Sequence, residues 1–139
     1  TLGTRKFMIL YFVCGLGAVV LHLGALDVEI TRYIAKGNQT FATLAANTPT
    51  VGASGAIYGL MLAYALLYPT NRFTLIFPPV TLTAKWMVII FAAIELFTGV
   101  RGVADGVAHF AHLGGMLFAL LMISYWRKKG NLFDEYGRY

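Results

Sequence analysis

Four apolar segments, separated by more polar stretches, dominate the pattern of hydrophobic and polar positions along the chain. They run from about Phe7 to Leu26, Val51 to Tyr68, Trp86 to Val100 and Gly106 to Trp126. Their residues are apolar on every helical face and show no period-2 alternation, so helices are predicted rather than strands. Each is long enough, or nearly so, to cross about 30 Å of hydrocarbon at about 1.5 Å per residue. The pattern therefore predicts an all-α membrane protein with four transmembrane helices.

The composition supports a membrane protein and excludes several other classes. Hydrophobic residues make up 58% of the chain and charged ones 12%, whereas soluble domains carry about 25% charged residues. The single cysteine, Cys14, excludes a disulfide framework and a cysteine-based metal cluster. The net charge is +5, but the basic residues form no stripe, so the lipid bilayer is the expected partner and nucleic acid is not.

The distribution of basic residues predicts an orientation. With the N-terminus in the cytoplasm, eight basic residues lie inside and three lie outside, which satisfies the positive-inside rule. The inner eight are Arg5, Lys6, Arg72, Lys85, Arg127, Lys128, Lys129 and Arg138, and the outer three are Arg32, Lys36 and Arg101. Residues 27–50 then form an external loop and residues 127–139 a cytoplasmic tail. Because the sequence opens at Thr1, just before a helix, we expect a piece of a longer membrane protein.

Two polar motifs lie inside the apolar segments. Residues 52–55 (GASG) stand at the head of the second segment, and residues 111–115 (AHLGG) lie in the fourth. Polar groups in hydrocarbon are costly, so each motif is a candidate functional site. A structural explanation exists for both: serine between glycines is common at helix contacts, and a buried histidine often only packs.

The predicted depth of the two motifs brings them together. Ser54 lies 15 residues before Pro69, and His112 lies 15 residues before Arg127. Both are therefore about 22 Å from the cytoplasmic boundary, roughly 8 Å below the outer edge of the hydrocarbon core. A serine nucleophile needs a base within hydrogen-bond reach, and parallel helices at equal depth meet that condition. Tyr58, four residues after Ser54, shares its face and is expected either to stack on the imidazole or simply to pack.

Other titratable residues are rivals for these roles. His109 lies one turn above His112 and about 60° around the helix, and His22 lies in the first segment. A zinc site built from the three histidines is conceivable, but no H-E-x-x-H pair or cysteine partner supports it. Asp105 lies near the outer mouth of the fourth segment, and Glu95 is interpreted as an inter-helix tether or part of a polar patch. With no carboxylate placed to orient the base, the site is predicted to work as a dyad.

Residues 52–59 (GASGAIYG) and 108–115 (AHFAHLGG), two segments apart, resemble the paired motifs of the rhomboid family of intramembrane serine proteases. The opening residues 2–7 (LGTRKF) are also similar to that family's approach to its third core helix. The resemblance covers essentially the whole chain. It implies that residues 1–139 are a partial rhomboid domain, with four transmembrane helices, the third to the sixth, of a six-helix rhomboid-type bundle.

The resemblance also implies roles for individual residues. Ser54 matches the nucleophile and His112 the general base of a Ser-His dyad, while His109 has no catalytic counterpart. Gly55 opens a small-residue notch on the serine helix. The residues expected to support the site are Gly52, Gly55, Tyr58 and Gly115.

The implied function is that of an intramembrane serine endopeptidase that cleaves transmembrane protein substrates without a metal or other cofactor. We expect it in a bacterial inner membrane, with its active site open to the outer side. The histidine and asparagine that the family's second helix supplies to the oxyanion hole have no match here. Loss of one such donor costs about 10²–10³ in rate, so this chain alone is expected to be nearly or wholly inactive.

Two alternatives remain open at the level of sequence. The first is a non-catalytic rhomboid-like protein that binds membrane clients, which predicts loss of Ser54 or His112, yet both are present. The second is a transporter or channel fragment with histidines along an ion path. It predicts further intramembrane charges besides Glu95 and an inverted repeat, which the sequence does not display.

Overall fold

A computed structural model of the chain describes residues 2–40, 43, 53–101 and 109–132. The described elements are helix α1 (Gly3–Ala35), helix α2 (Ala53–Leu67), strands β1 (Arg72–Thr74) and β2 (Thr81–Thr83), helix α3 (Ala84–Arg101) and helix α4 (His109–Lys128). The described part of each apolar segment therefore lies almost wholly on a helix. The protein is a helical membrane-type fold, as the pattern predicts.

The helices differ in how well they suit a membrane. Among the described residues, α1 and α4 are long and apolar enough to cross one, and α2 is apolar but has only 15 residues. Helix α3 has 18 residues and carries three charged ones, Lys85, Glu95 and Arg101. Large apolar side chains such as Leu16, 68% exposed, cover the outside of the bundle, which is typical of a lipid-facing surface. Four transmembrane spans remain a prediction.

Helix α1 is longer than the sequence pattern suggests. The first segment was expected to end near Leu26 and to be followed by an external loop, but the helix continues to Ala35. No glycine or proline interrupts residues 25–36, and Gly37, with a φ of 72°, stands just beyond the end of the helix. The loop prediction is therefore wrong over residues 27–35, and most of residues 41–52 lie outside the described part of the chain.

Helices α1, α2 and α4 form the core of the bundle. Helix α4 packs along both of the others, and the core they share consists of Leu10, Cys14, Ala56, Ala63, Ala119, Ile123 and Trp126. Three of these seven are alanines, and small residues let helix backbones approach closely in a membrane. A Cβ built at Gly115 would overlap the carbonyl oxygen of Gly55. Helices α2 and α4 are therefore in backbone contact at these two glycines.

The far ends of α2 and α4 are also linked. Arg127 Nη2 donates a hydrogen bond to the carbonyl oxygen of Leu66 at 2.6 Å, near the end of α2, where carbonyl groups have no partner within the helix. The two helices thus share a common level at this end as well as at the glycine contact. The cytoplasmic tail expected from residue 127 begins inside α4, and residues 133–139 lie outside the described chain.

A short β-hairpin joins α2 to α3, and the sequence analysis missed it. Strands β1 and β2 pair antiparallel with Phe73 opposite Leu82, and the connection between them contains a cis Phe77–Pro78 peptide bond. The Phe73 ring packs edge-on against Tyr64 of α2, with the ring centroids 5.4 Å apart. Strands of three residues are too short to produce a readable alternation of polar and apolar positions.

Helix α3 packs on the core less extensively than the other helices. A second apolar cluster, made by Ala65, Ala84, Val88 and Met116, joins it to α2 and α4 near its N-terminus. Farther along α3 its outer residues are exposed, and Glu95 is its only buried residue beyond Val88. The buried side chain that the second half of α3 directs into the bundle is therefore a polar one.

Candidate active site

Ser54 lies in the first turn of α2. It is the second residue of the helix and is partly buried. Backbone N–H groups in the first turn of a helix have no acceptor within that helix, and the Ser54 N–H lies in this turn. Gly52, expected to support the site, lies outside the described residues.

His112 lies in α4 with 7% of its surface exposed. Its imidazole stacks on the Tyr58 ring, with the centroids 4.1 Å apart and the planes 6° from parallel. Such a stacked contact between flat rings restricts how the imidazole can rotate. Tyr58 was expected either to stack on the imidazole or simply to pack, and in the structure it stacks on the imidazole.

The backbone contact between α2 and α4 determines where Ser54 stands relative to His112. A Cβ at Gly55 would lie 2.9 Å from the carbonyl oxygen of Ala111, so the residues next to Ser54 and His112 in the chain touch each other. One turn farther along α2, Tyr58 covers the His112 ring. The turn that carries Ser54 is thereby packed against the turn that carries His112. Gly55 and Gly115 make this approach possible.

Glu95 occupies a position that the sequence analysis did not foresee. It is buried, and its Oε1 accepts a hydrogen bond from the Tyr58 hydroxyl at 2.9 Å. The same oxygen lies 3.0 Å from Nδ1 of His112, and Oε2 lies 2.6 Å from Nδ1 of His109. Glu95 does tether α2, α3 and α4, as one interpretation held. The expectation that no carboxylate stands beside the candidate base is wrong. Helix packing decides how α3 is rotated about its axis, and this rotation directs Glu95 toward His112.

The hydrogen-bond geometry at His112 is incomplete. Although its Nδ1 is close to Glu95, that nitrogen has no aligned hydrogen-bond partner among the described residues. Catalytic hydrogen bonds are often poorly aligned in the absence of substrate and become aligned when it binds. Glu95 and His112 are therefore close neighbours that do not form a completed hydrogen bond.

His109 belongs to the same polar cluster. Its Nδ1 lies 3.1 Å from Thr98 Oγ1 as well as beside Glu95. The Thr98 hydroxyl donates to the backbone carbonyl of Ile94 at 2.7 Å, so it is the histidine nitrogen that donates to Thr98 and to Glu95. The family resemblance offers no catalytic counterpart for His109. The sequence signal that could have drawn attention to it is Glu95, the one acid in the preceding apolar segment.

The other candidates named from the sequence are a histidine metal site and Asp105. The described residues contain no group of three or more ligating side chains with metal-binding geometry, the three histidines included. Asp105 lies outside the described chain.

A cavity of about 530 Å³ lies at the opposite end of α2 from Ser54, where Leu10, Leu60 and Tyr64 help to line it.

The fold and the site together define a class of protein. The chain is a helical, lipid-compatible bundle in which a serine turn, a stacked histidine and a buried carboxylate meet between three helices. The family model of the rhomboid domain matches residues 1–129. The chain therefore belongs to the rhomboid family, a family of intramembrane proteases that also has non-catalytic members. Neither the curated proteins nor the solved structures contain a significant match to it.

Proposed function

We propose that this chain carries the catalytic dyad of an intramembrane serine endopeptidase that cleaves transmembrane protein substrates. The observation that carries the proposal is the packing of the Ser54 turn against the His112 turn, with Tyr58 stacked on the imidazole. A merely structural contact between small residues would not require a polar ring at that place. Membership of the rhomboid family supports the same reaction class.

In the proposed reaction, His112 takes the proton of the Ser54 hydroxyl as the serine oxygen attacks the scissile carbonyl carbon. The carbon–nitrogen bond of the peptide then breaks, and the imidazolium returns the proton to the leaving amine. Water, activated by the same histidine, hydrolyses the resulting ester and regenerates the serine. The free backbone N–H of Ser54 donates to the oxyanion.

The proposed setting is a bacterial plasma membrane with the site open to the outer side. The uneven distribution of basic residues supports this orientation. At about 8 Å below the surface, the site requires a water-filled entry from that side. Oxyanion donors besides the Ser54 N–H are needed for full activity, so the chain alone is expected to be nearly or wholly inactive.

The test uses the full natural protein that contains this sequence, reconstituted in liposomes with a transmembrane substrate. Ser54→Ala and His112→Ala are each expected to lower the cleavage rate by about 10³-fold or more, because nucleophile and base act as a unit. Ser124→Ala, on an exposed position of α4, is the matched control and is expected to cleave normally. Labelling by a fluorophosphonate probe should disappear in Ser54→Ala, fall steeply in His112→Ala because the serine loses its base, and persist in Ser124→Ala.

Two outcomes would contradict the proposal. Persistent cleavage by Ser54→Ala would assign the nucleophile elsewhere. Binding of the substrate by the wild-type protein without any cleavage or probe labelling would favour the second candidate, a non-catalytic rhomboid-like protein that binds membrane clients. The basis of that second candidate is that the rhomboid family also has non-catalytic members.

A further inference from the structure

The buried carboxylate of Glu95 has more partners than a helix tether requires. An acid in an apolar helix is costly unless donors surround it. Tyr58 and His109 alone would tie α3 to α2 and to α4. Yet the oxygen that accepts from Tyr58 also lies 3.0 Å from Nδ1 of His112. The third contact is with the one residue proposed to act as a base.

We infer that Glu95 is a positioning residue for His112, so that Ser54, His112 and Glu95 work together as a triad. The inference rests on the proposed function. A carboxylate beside Nδ1 favours the tautomer that carries its proton on that nitrogen. The opposite ring nitrogen, Nε2, then keeps its lone pair and can accept the proton of the Ser54 hydroxyl.

Tyr58 restricts the geometry of this arrangement twice. Its ring lies parallel to the imidazole, which fixes the plane of His112. Its hydroxyl donates to Glu95 Oε1, the same oxygen that faces His112 Nδ1. The plane of the imidazole and the position of its carboxylate neighbour are thus held by one side chain.

His109 holds the other side of the carboxylate. Its Nδ1 lies 2.6 Å from Oε2, and Thr98 contacts the same nitrogen. With Oε2 engaged, Glu95 cannot turn away from His112 without losing a charge-assisted hydrogen bond. His109 thereby acts through Glu95 and has no need to touch the substrate.

The experiment replaces Glu95 by glutamine in the full natural protein in liposomes. The amide keeps the size of the side chain, but its NH₂ group can donate to Nδ1 and so hold the wrong tautomer. In a Ser-His-Asp enzyme the equivalent change lowers kcat about 10⁴-fold. We expect Glu95→Gln to lower kcat at least about 10-fold with KM unchanged within about twofold, and Glu95→Asp to recover part of the loss. Glu29→Gln is the matched control. Glu29, like Glu95, accepts a hydrogen bond from a tyrosine hydroxyl, here that of Tyr33 at 3.3 Å, but its partner lies on the same helix.

A spectroscopic measurement separates positioning from simple tethering. In ¹⁵N-histidine-labelled wild-type protein, His112 is expected to show a protonated Nδ1 and an unprotonated Nε2. In Glu95→Gln the population should move toward the opposite tautomer. The signals that are missing from labelled His112→Gln protein assign the His112 resonances, and the tautomer is then read from the wild-type spectrum.

Three results would overturn the inference. A wild-type His112 protonated on Nε2 alone would do so directly. So would a Glu95→Gln protein with wild-type kcat, or one whose loss of kcat equals its loss of folded protein while the tautomer stays unchanged. In these cases Ser54-dependent cleavage by the wild type would leave the proposed function intact. Cleavage that does not depend on Ser54 would instead defeat the proposed function and the inference with it.

Discussion

Helix α4 makes two kinds of contact, one with α2 and one with α3. Toward α2 the contact is one of shape, since Gly55 and Gly115 let the two backbones touch. Toward the second half of α3 it is one of charge, because Glu95 is the buried residue that reaches His109 and His112. The first contact leaves no room for an added atom, and the second loses a polar interaction with each partner that is removed. The candidate site lies where the two meet.

The largest effect is expected from breaking the shape contact with Gly115→Ala. The new Cβ meets the backbone of Gly55, which cannot move aside as a flexible side chain could. Overpacking of this kind costs about 1–3 kcal/mol, and we expect the upper end of that range and a loss of cleavage. Thermal unfolding in detergent measures it. Gly24→Ala, where nothing lies within 4 Å of the new atom, is the control, and equal melting temperatures for the two variants would refute the contact.

A smaller effect is expected from weakening the charge contact with Tyr58→Phe. The ring that stacks on His112 remains, while the hydroxyl that donates to Glu95 is lost. Side-chain hydrogen bonds within membranes contribute about 1 kcal/mol, so the free energy of unfolding should fall by about that amount, and kcat should fall more than KM changes. Tyr64→Phe is the control, since its hydroxyl accepts from Asn71 in an exposed position. An unchanged kcat in Tyr58→Phe would show that the hydroxyl does not help to position the carboxylate.

The smallest effect is expected at the far end of the α2–α4 pair. Arg127→Gln removes the charged donor to the Leu66 carbonyl, an exposed contact. Exposed charged interactions contribute at most about 0.5–1 kcal/mol, so the melting temperature should change only slightly and cleavage should persist. Lys128→Gln provides the comparison on the next residue. A large loss of stability in Arg127→Gln but not in Lys128→Gln would mean that the Arg127–Leu66 contact, rather than the glycine contact, fixes the relative positions of α2 and α4 along their axes.

Much of the helical arrangement could be predicted from the sequence. Unbroken apolar runs predict helices wherever they occur, and all four segments lie on one. Ser54 and His112 could be paired because so few polar residues interrupt those runs. The spacing of four residues between Ser54 and Tyr58 predicts a shared face, and Tyr58 is found on His112. Their catalytic roles remain predictions.

Other features could not be predicted in the same way. The continuation of α1 to Ala35 follows from the lack of a helix breaker in a moderately polar stretch, where hydropathy marks the edge of a span and not the end of a helix. The β-hairpin is too short to produce a pattern. Glu95 was visible as the one acid in its segment, but a spacing along the chain does not give the direction in which α3 faces α4.

By itself, the sequence determined the class of protein, its helices and the residues able to carry the chemistry, since hydrophobic length and polar exceptions are local properties. The tertiary structure decided which of those residues share a site. The touching of Gly55 and Gly115 and the rotation of α3 depend on how whole helix surfaces fit together. For that reason a histidine that the sequence paired only with a serine also stands 3.0 Å from a glutamate.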